Sequence, residues 1–113
     1  MADTPQQGPA TSPDDFVVEG TTLRCPYDIN AVLPKVLRQW CRKLLEVPGE
    51  TLTIDLSGTK YIASHHLGIL SEAWAEALEK KRDLVVAIAP ELRRVFELSG
   101  FDQVFKLIEN PRP

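Results

Sequence analysis

The sequence predicts an α/β fold in which α-helices flank a mixed β-sheet, formed by an N-terminal hairpin and mostly parallel strands. Two observations support this prediction. Segments with apolar residues at helical spacing alternate with short β-rich segments, and that alternation is typical of parallel strands joined by right-handed crossovers. The chain of 113 residues also suits one hydrophobic core, because two cores of half this size would each be marginally stable.

The first predicted element is a β-hairpin in FVVEGTTLRC, residues 16–25, where Gly20 can adopt the backbone conformations of a tight turn. A helix follows, because apolar residues recur at steps of three and one. These residues are Ile29, Val32, Leu33, Val36, Leu37, Trp40, Cys41, Leu44 and Leu45. Asp28 or Asn30 can cap this helix, but Pro34 must lie within about its first turn, which favours the later start.

The second half of the chain repeats the alternation of strand and helix. TLTIDL, residues 51–56, alternates as a strand does, and LVVAIA, residues 84–89, is an apolar run typical of a strand covered on both faces. A second helix face is marked by Leu67, Leu70, Trp74, Ala77 and Leu78. PELRRVFELSG predicts a third helix, with Pro90 at its start and Gly100 after its end, and VFKLIE predicts a final strand.

Residues 1–15 are expected to form a disordered N-terminal tail, and residues 16–110 the folded domain. The tail contains no aromatic or large aliphatic residue beyond the initiator methionine. It therefore cannot bury enough apolar surface to offset the entropy of ordering.

Composition excludes several classes of partner. The formal net charge of −3 includes no basic excess of the kind that binds nucleic acid. The longest apolar run is far below the roughly 20 residues of a membrane span, and the N-terminus lacks the apolar stretch of a signal peptide. We therefore expect a cytoplasmic protein without membrane insertion.

Cys25 and Cys41 are far apart in the sequence, and we interpret them as buried free thiols.

The segment YIASHHLGIL, residues 61–70, raises the question of a catalytic, metal or contact site at Ser64, His65 and His66. A serine hydrolase is disfavoured, because adjacent side chains rarely reach each other in hydrogen-bonding geometry and no G-x-S-x-G motif is present. A metal site is disfavoured because two adjacent histidines cannot readily share one ion. We expect no enzymatic activity, cofactor or metal, and two histidines exposed at a helix start.

Ser64 is predicted to be the N-cap of a helix that begins near His65, with its hydroxyl close to solvent. In that position its oxygen would accept a hydrogen bond from a first-turn N–H group. The positive end of the helix dipole would also tolerate a phosphate on Ser64, which would add about −1.5 to −2 charges to the surface. Such a modification would be well suited to reversing a contact with another protein.

Two blocks of the sequence carry a resemblance to a known family. LTIDLSGTKYIASHHLGIL, followed by LVVAIAPELRRVFELSGFDQVFKL, resembles the STAS domain of bacterial anti-sigma-factor antagonists, over about residues 51–108. The family pattern contains a strand, a stretch like DLSGVxxIDSSGLGxL, a second strand, and xxPxVRRxLELTGLDxxFxI. The resemblance implies a STAS-like sheet and a non-enzymatic regulatory protein.

The family's phosphorylated serine falls on Ser64, Leu67 and Gly68 match its Leu and second Gly, and Asp28 matches an acidic position of the N-terminal part. Three positions depart from the motif: Ala63 replaces its Asp, His65 its second Ser or Thr, and His66 its first Gly. The resemblance implies that the partner contacts this whole set. The set comprises Asp28, Ala63, Ser64, His65, His66, Leu67 and Gly68.

Two hypotheses for function follow from the resemblance. In the first, the protein is an antagonist that binds an anti-sigma factor or a histidine-kinase-like switch kinase, and phosphorylation of Ser64 dissociates the complex. In the second, which the altered motif favours, it is an unswitched STAS scaffold. Examples are the cytoplasmic STAS subunit of a lipid-transport ABC system, with the transporter ATPase as partner, or a member of a larger signalling assembly.

Overall fold

The structure, a computed structural model, describes residues 15–109. Its strands are β1 (Val17–Glu19), β2 (Thr22–Arg24), β3 (Thr51–Leu56), β4 (Asp83–Ile88) and β5 (Lys106–Glu109). Its α-helices are α1 (Pro34–Leu45), α2 (Ser64–Glu79) and α3 (Arg93–Ser99). Short 3₁₀ segments occur at Ile29–Ala31, Pro90–Leu92 and Phe101–Gln103. The tail predicted at residues 1–15 falls outside the described part except for its last residue, so its disorder stays a prediction.

The described strands form one sheet with the order β1-β2-β3-β4-β5. The hairpin pairs β1 with β2 in antiparallel fashion, and every later neighbour is parallel. Gly20, in the hairpin turn, has a positive φ of 58°, which a residue without Cβ adopts at little cost. The predicted mixed α/β sheet is confirmed.

The sheet buries one face against the helices. Leu23, Ile54, Val86 and Leu107 lie in register across β2 to β5, and all of them belong to the core or pack against it. On the other face, Thr53 and Val85 are only half-buried and Lys106 is exposed. The predicted cover on both faces of β4 holds at Ala87, which is buried on this second face, and only in part at the half-buried Val85.

The first helix begins at Pro34, which confirms the later of the two starts. Asp28 instead caps the preceding 3₁₀ turn, where its carboxylate accepts a hydrogen bond from the Asn30 N–H at 2.9 Å. Because Leu33 precedes the helix, it is out of phase with the buried face and is 60% exposed, so its predicted burial is wrong.

The two tryptophans of the predicted helix faces pack against the core, and the two cysteines predicted to be buried free thiols lie within it. Trp40 and Trp74 are half-buried against it, and the Trp40 ring stacks on Phe16 with centroids 5.8 Å apart. Cys25 and Cys41 are both free and buried. Burial, with a smaller contribution from Glu72, raises the pKa of the Cys41 thiol to about 12, so this thiol is protonated and unreactive near neutral pH.

Arg82 stabilises the connection between α1 and β3 through hydrogen bonds to its backbone. Its Nε donates to the Gly49 carbonyl at 2.7 Å and its Nη1 to the Leu45 carbonyl at 2.8 Å, while Nη2 donates to the carbonyl of Val47. Leu45 is the last residue of α1. The guanidinium therefore satisfies a helix-terminal carbonyl and places a positive charge at the negative end of the helix dipole.

Over residues 15–109, no helix has the length and apolar character that a membrane crossing requires.

Candidate protein-docking site

The predicted site residues come together where β2 and β3 end. The segments that follow these strands are joined by backbone hydrogen bonds: the Ile29 N–H donates to the Tyr61 carbonyl at 3.1 Å, and the Lys60 N–H donates to the Tyr27 carbonyl at 2.8 Å. Below them, the buried Thr59 hydroxyl donates to the Pro26 carbonyl at 2.7 Å. Asp28 and the approach to Ser64 are thus held in one unit, although 36 positions separate these two residues in the sequence.

Ser64 is the first residue of α2, and the N-cap is Ala63. The predicted capping role of Ser64 is therefore wrong by one position. The physical reason is that the Ala63 backbone is extended, with φ −105° and ψ 163°, while its carbonyl already accepts from the His66 N–H at 3.0 Å. Ser64 itself is exposed, as predicted, so its hydroxyl is accessible.

His66 is buried, with 1% of its surface exposed, which corrects the prediction that both histidines are exposed. Its Nδ1 accepts a hydrogen bond from the Ala63 N–H at 3.1 Å. Ala63 has no side-chain acceptor with which to cap the helix. The side-chain hydrogen bond at the helix start is made instead by His66, the third residue of α2. Sequence reasoning missed this role, although an acceptor three residues after the cap is the usual signal for it.

His65 and His66 have different environments. His65 is exposed, and its ring centroid lies 4.0 Å from that of His66. Burial lowers the pKa of His66 below its ordinary value of 6.5, and His65 lowers it further, while Asp28 acts in the opposite direction. At neutral pH, His66 is therefore an uncharged imidazole, and its hydrogen bond to Ala63 requires the proton to be on Nε2.

The acceptor nitrogen of His66 is not available to activate Ser64. The Nδ1 atom of His66 is already engaged by Ala63 and buried, so it cannot serve as a base for the exposed Ser64 hydroxyl. Across residues 15–109, no group of three or more histidine, cysteine, aspartate or glutamate side chains is placed to hold a metal ion.

The outer face of α2 presents a row of mostly small residues at steps of four, three, four and three. They are Ser64, Gly68, Ser71, Ala75 and Leu78. We call this row the α2 stripe. Leu78 is 57% exposed, so its predicted burial is wrong, because this spacing places it with the stripe and not with the core-facing residues. A Cβ built on Gly68 would have no heavy atom outside its own helix turn within 4 Å.

Two exposed apolar side chains lie at the same end of the sheet as Ser64. Leu33, just before α1, is 60% exposed, and Tyr61, three residues before Ser64, is 46% exposed. Large apolar side chains at that exposure are candidates for contact with another molecule. The Lys60 Nζ lies 5.6 Å from the centroid of the Tyr61 ring, so a positive charge accompanies this surface.

The structure divides the predicted contact residues into two groups. Ser64 and His65 are exposed, and Asp28, Ala63 and Gly68 are partly exposed. His66 and Leu67 are buried, and contact of any of the seven residues with a partner stays a prediction.

A comparison with protein-family models matches residues 32–109 to the model described as Mlab, STAS domain. A comparison with curated proteins gives no significant match. The matched region contains α1 to β5, including the whole of α2 and its stripe. STAS domains are generally regulatory and binding modules. The chain belongs to the STAS domain family.

Proposed function

We propose that this protein regulates a partner protein by docking it on the α2 stripe and the adjoining Ser64 segment. The observation that carries the proposal is Gly68. A glycine inside a helix costs about 1 kcal/mol relative to alanine. Here an added Cβ would enter open space, so no packing among residues 15–109 requires a glycine. Close approach of another molecule gives this position a physical reason.

The surroundings of Gly68 suit a protein partner. Ser64 and Ala75 extend the same row of small side chains, which lets a second backbone come near α2. Exposed Leu33 and Tyr61 at one end, and Leu78 at the other, supply the larger apolar contacts that dominate protein interfaces.

The partner that this surface fits in the first hypothesis is an anti-sigma factor or a histidine-kinase-like switch kinase, and Ser64 is its phosphorylation site. The exposed hydroxyl supports access by a kinase. A phosphate at the first position of α2 would be favoured by the helix dipole, so the fold would tolerate it. In the docked state the same charge would be desolvated against the partner, which would separate the two proteins.

The second hypothesis is an unswitched scaffold, such as the cytoplasmic STAS subunit of a lipid-transport ABC system docked on the transporter ATPase. The helix start favours it, since Ala63 and a buried His66 stand where the antagonist motif has Asp and Gly. In this case the α2 stripe docks the partner constitutively, and Ser64 is only a contact.

Quantitative pull-down from host lysate would test the docking surface. The bait proteins are the wild type, Gly68→Leu in the stripe and, as a matched control, Gln39→Leu at an exposed position of α1. We expect mass spectrometry to find an anti-sigma factor, a switch kinase or a transporter ATPase with the wild type and the control, and loss of that protein with Gly68→Leu. Equal recovery by all three baits would contradict the proposal.

Intact-mass measurement of the protein purified from its own host would separate the two hypotheses. A mass increase of one phosphate that disappears in Ser64→Ala supports the switch. An unmodified protein that still co-purifies with a transporter ATPase supports the scaffold.

A further inference from the structure

The Ala63–His66 hydrogen bond gives the start of α2 a dependence on protonation. We propose that His66 is a proton-sensitive positioning residue whose neutral imidazole fixes the Ser64 segment, and that acidification releases this segment. The geometry that supports the proposal is direct: the buried Nδ1 accepts from the Ala63 N–H at 3.1 Å, and Ala63 immediately precedes Ser64.

Protonation converts this acceptor into a donor. An imidazolium carries a proton on both ring nitrogens, so its Nδ1–H would point at the Ala63 N–H and the hydrogen bond could not form. The added positive charge would also lie in the first turn of α2, where the helix dipole already presents its positive end. Both effects oppose the present arrangement of ring and backbone.

Two titratable groups act on the His66 ring. His65, on the same helix, would add a second positive charge 4.0 Å away between ring centroids when both imidazoles are protonated. Asp28, on the segment after β2, supplies the opposing negative charge. The protonated ring is therefore repelled by the helix start and by His65, while Asp28 offsets part of this repulsion.

Histidine at position 66 makes the helix start sensitive to pH near neutrality, whereas other acceptors at this position would not. Glutamine, the uncharged residue usual at the third position of a helix, accepts the same backbone hydrogen bond but does not titrate near neutral pH. Histidine is the side chain whose ordinary titration falls in the physiological range. His66 thus makes the conformation of an otherwise ordinary helix start depend on pH.

The consequence for docking rests on the proposed function. Loss of the hydrogen bond between Ala63 and His66 would let Ser64 and the first turn of α2 fray. The Ser64 end of the α2 stripe would then lose its fixed shape. The conformational change itself is independent of any partner and can be measured on the protein alone.

Nuclear magnetic resonance of the ¹⁵N-labelled protein would test the proposal. At about pH 7.5 we expect the His66 ring to carry its proton on Nε2. As the pH falls, the Ala63 amide signal should shift with the same midpoint as the His66 ring, and its protection from hydrogen exchange should decrease about fivefold, as for a lost helix cap.

Two variants complete the test. His66→Gln retains an acceptor without a titrating group, so its Ala63 amide should lose the pH dependence, whereas His65→Gln, the matched control, should keep it. If the Ala63 amide signal of the wild-type protein does not change as His66 titrates, the proposal is overturned. This measurement does not depend on whether a variant folds. Failure to dock any partner would contradict the proposed function and leave this result unaffected.

Discussion

Asp28 and Tyr61 form an isolated parallel β-bridge that extends the pairing of β2 with β3 beyond the ends of both strands. The bridge joins the segment before α1 to the segment before α2, so that Asp28 and the approach to Ser64 are held by the same backbone contacts. A surface built in this way has a rigid base, and a partner need not order two separate loops when it binds.

Replacing Arg82 should destabilise the fold without changing the docking surface. Arg82→Ala removes three charge-assisted hydrogen bonds to the carbonyls of Leu45, Val47 and Gly49. We expect the free energy of unfolding to fall by about 1–3 kcal/mol, because part of this network is open to water. Urea denaturation would measure the loss. Arg82→Lys should recover only part of it, since an ammonium cannot reproduce the planar arrangement of donors; full recovery would contradict this account.

The sheet and helices could be predicted because their signals are local. The steps of three and one in α1 and the alternation in β3 indicate which side chains share a face. This spacing is sufficient to predict which face of each element is buried. Leu33 and Leu78 were assigned to buried faces because both are apolar, yet each lies at a helix end, where the phase of the pattern is least constrained.

The sequence places Ser64 at the start of a helix, but the structure differs in how that start is capped. Ser64 was expected to cap α2 because serine is a common capping residue. Its neighbour Ala63 occupies that position, and His66 supplies the missing hydrogen bond from inside the helix. Which of several adjacent residues becomes the cap depends on the path of the chain after β3, and that path is set by long-range contacts such as the one between Thr59 and Pro26.

The stability of the protein should decrease as the pH is lowered through about 6.5, the ordinary pKa of the His66 side chain. In the unfolded chain His66 binds a proton near that pH, whereas burial lowers its pKa in the folded state. The unfolded state therefore binds more protons in this window, and the free energy of unfolding rises with pH across it. Denaturation at a series of pH values would show the slope. His66→Gln should reduce it, and a slope unchanged in that variant would assign the effect to other groups.

Gly68→Ala should make the isolated protein more stable and the complex weaker. Among the described residues, the new methyl group meets no heavy atom outside its own helix turn within 4 Å, and alanine is preferred over glycine in a helix by about 1 kcal/mol. We expect unfolding to require about 0.5–1 kcal/mol more free energy. Calorimetric titration with the partner should show lower affinity, because the methyl group occupies space that the partner approaches. Higher stability with unchanged affinity would place the docking surface elsewhere.

Substitutions at Ser64 should separate a charge effect from a packing effect. Ser64→Asp places a carboxylate in the first turn of α2, where the helix dipole stabilises it by about 0.3–1 kcal/mol, so the fold should survive. In the docked complex the same carboxylate would be desolvated without an opposite charge, and binding should weaken by several kcal/mol. Ser64→Ala removes only an exposed hydroxyl and should leave the complex intact. A carboxylate carries less charge than a phosphate, so the loss with Ser64→Asp sets a lower limit for the modified protein. The measurement is the affinity of wild type and both variants for the partner recovered from host lysate, with circular dichroism to verify folding. If Ser64→Asp binds as tightly as the wild type, the unswitched scaffold is favoured over the phosphorylation switch.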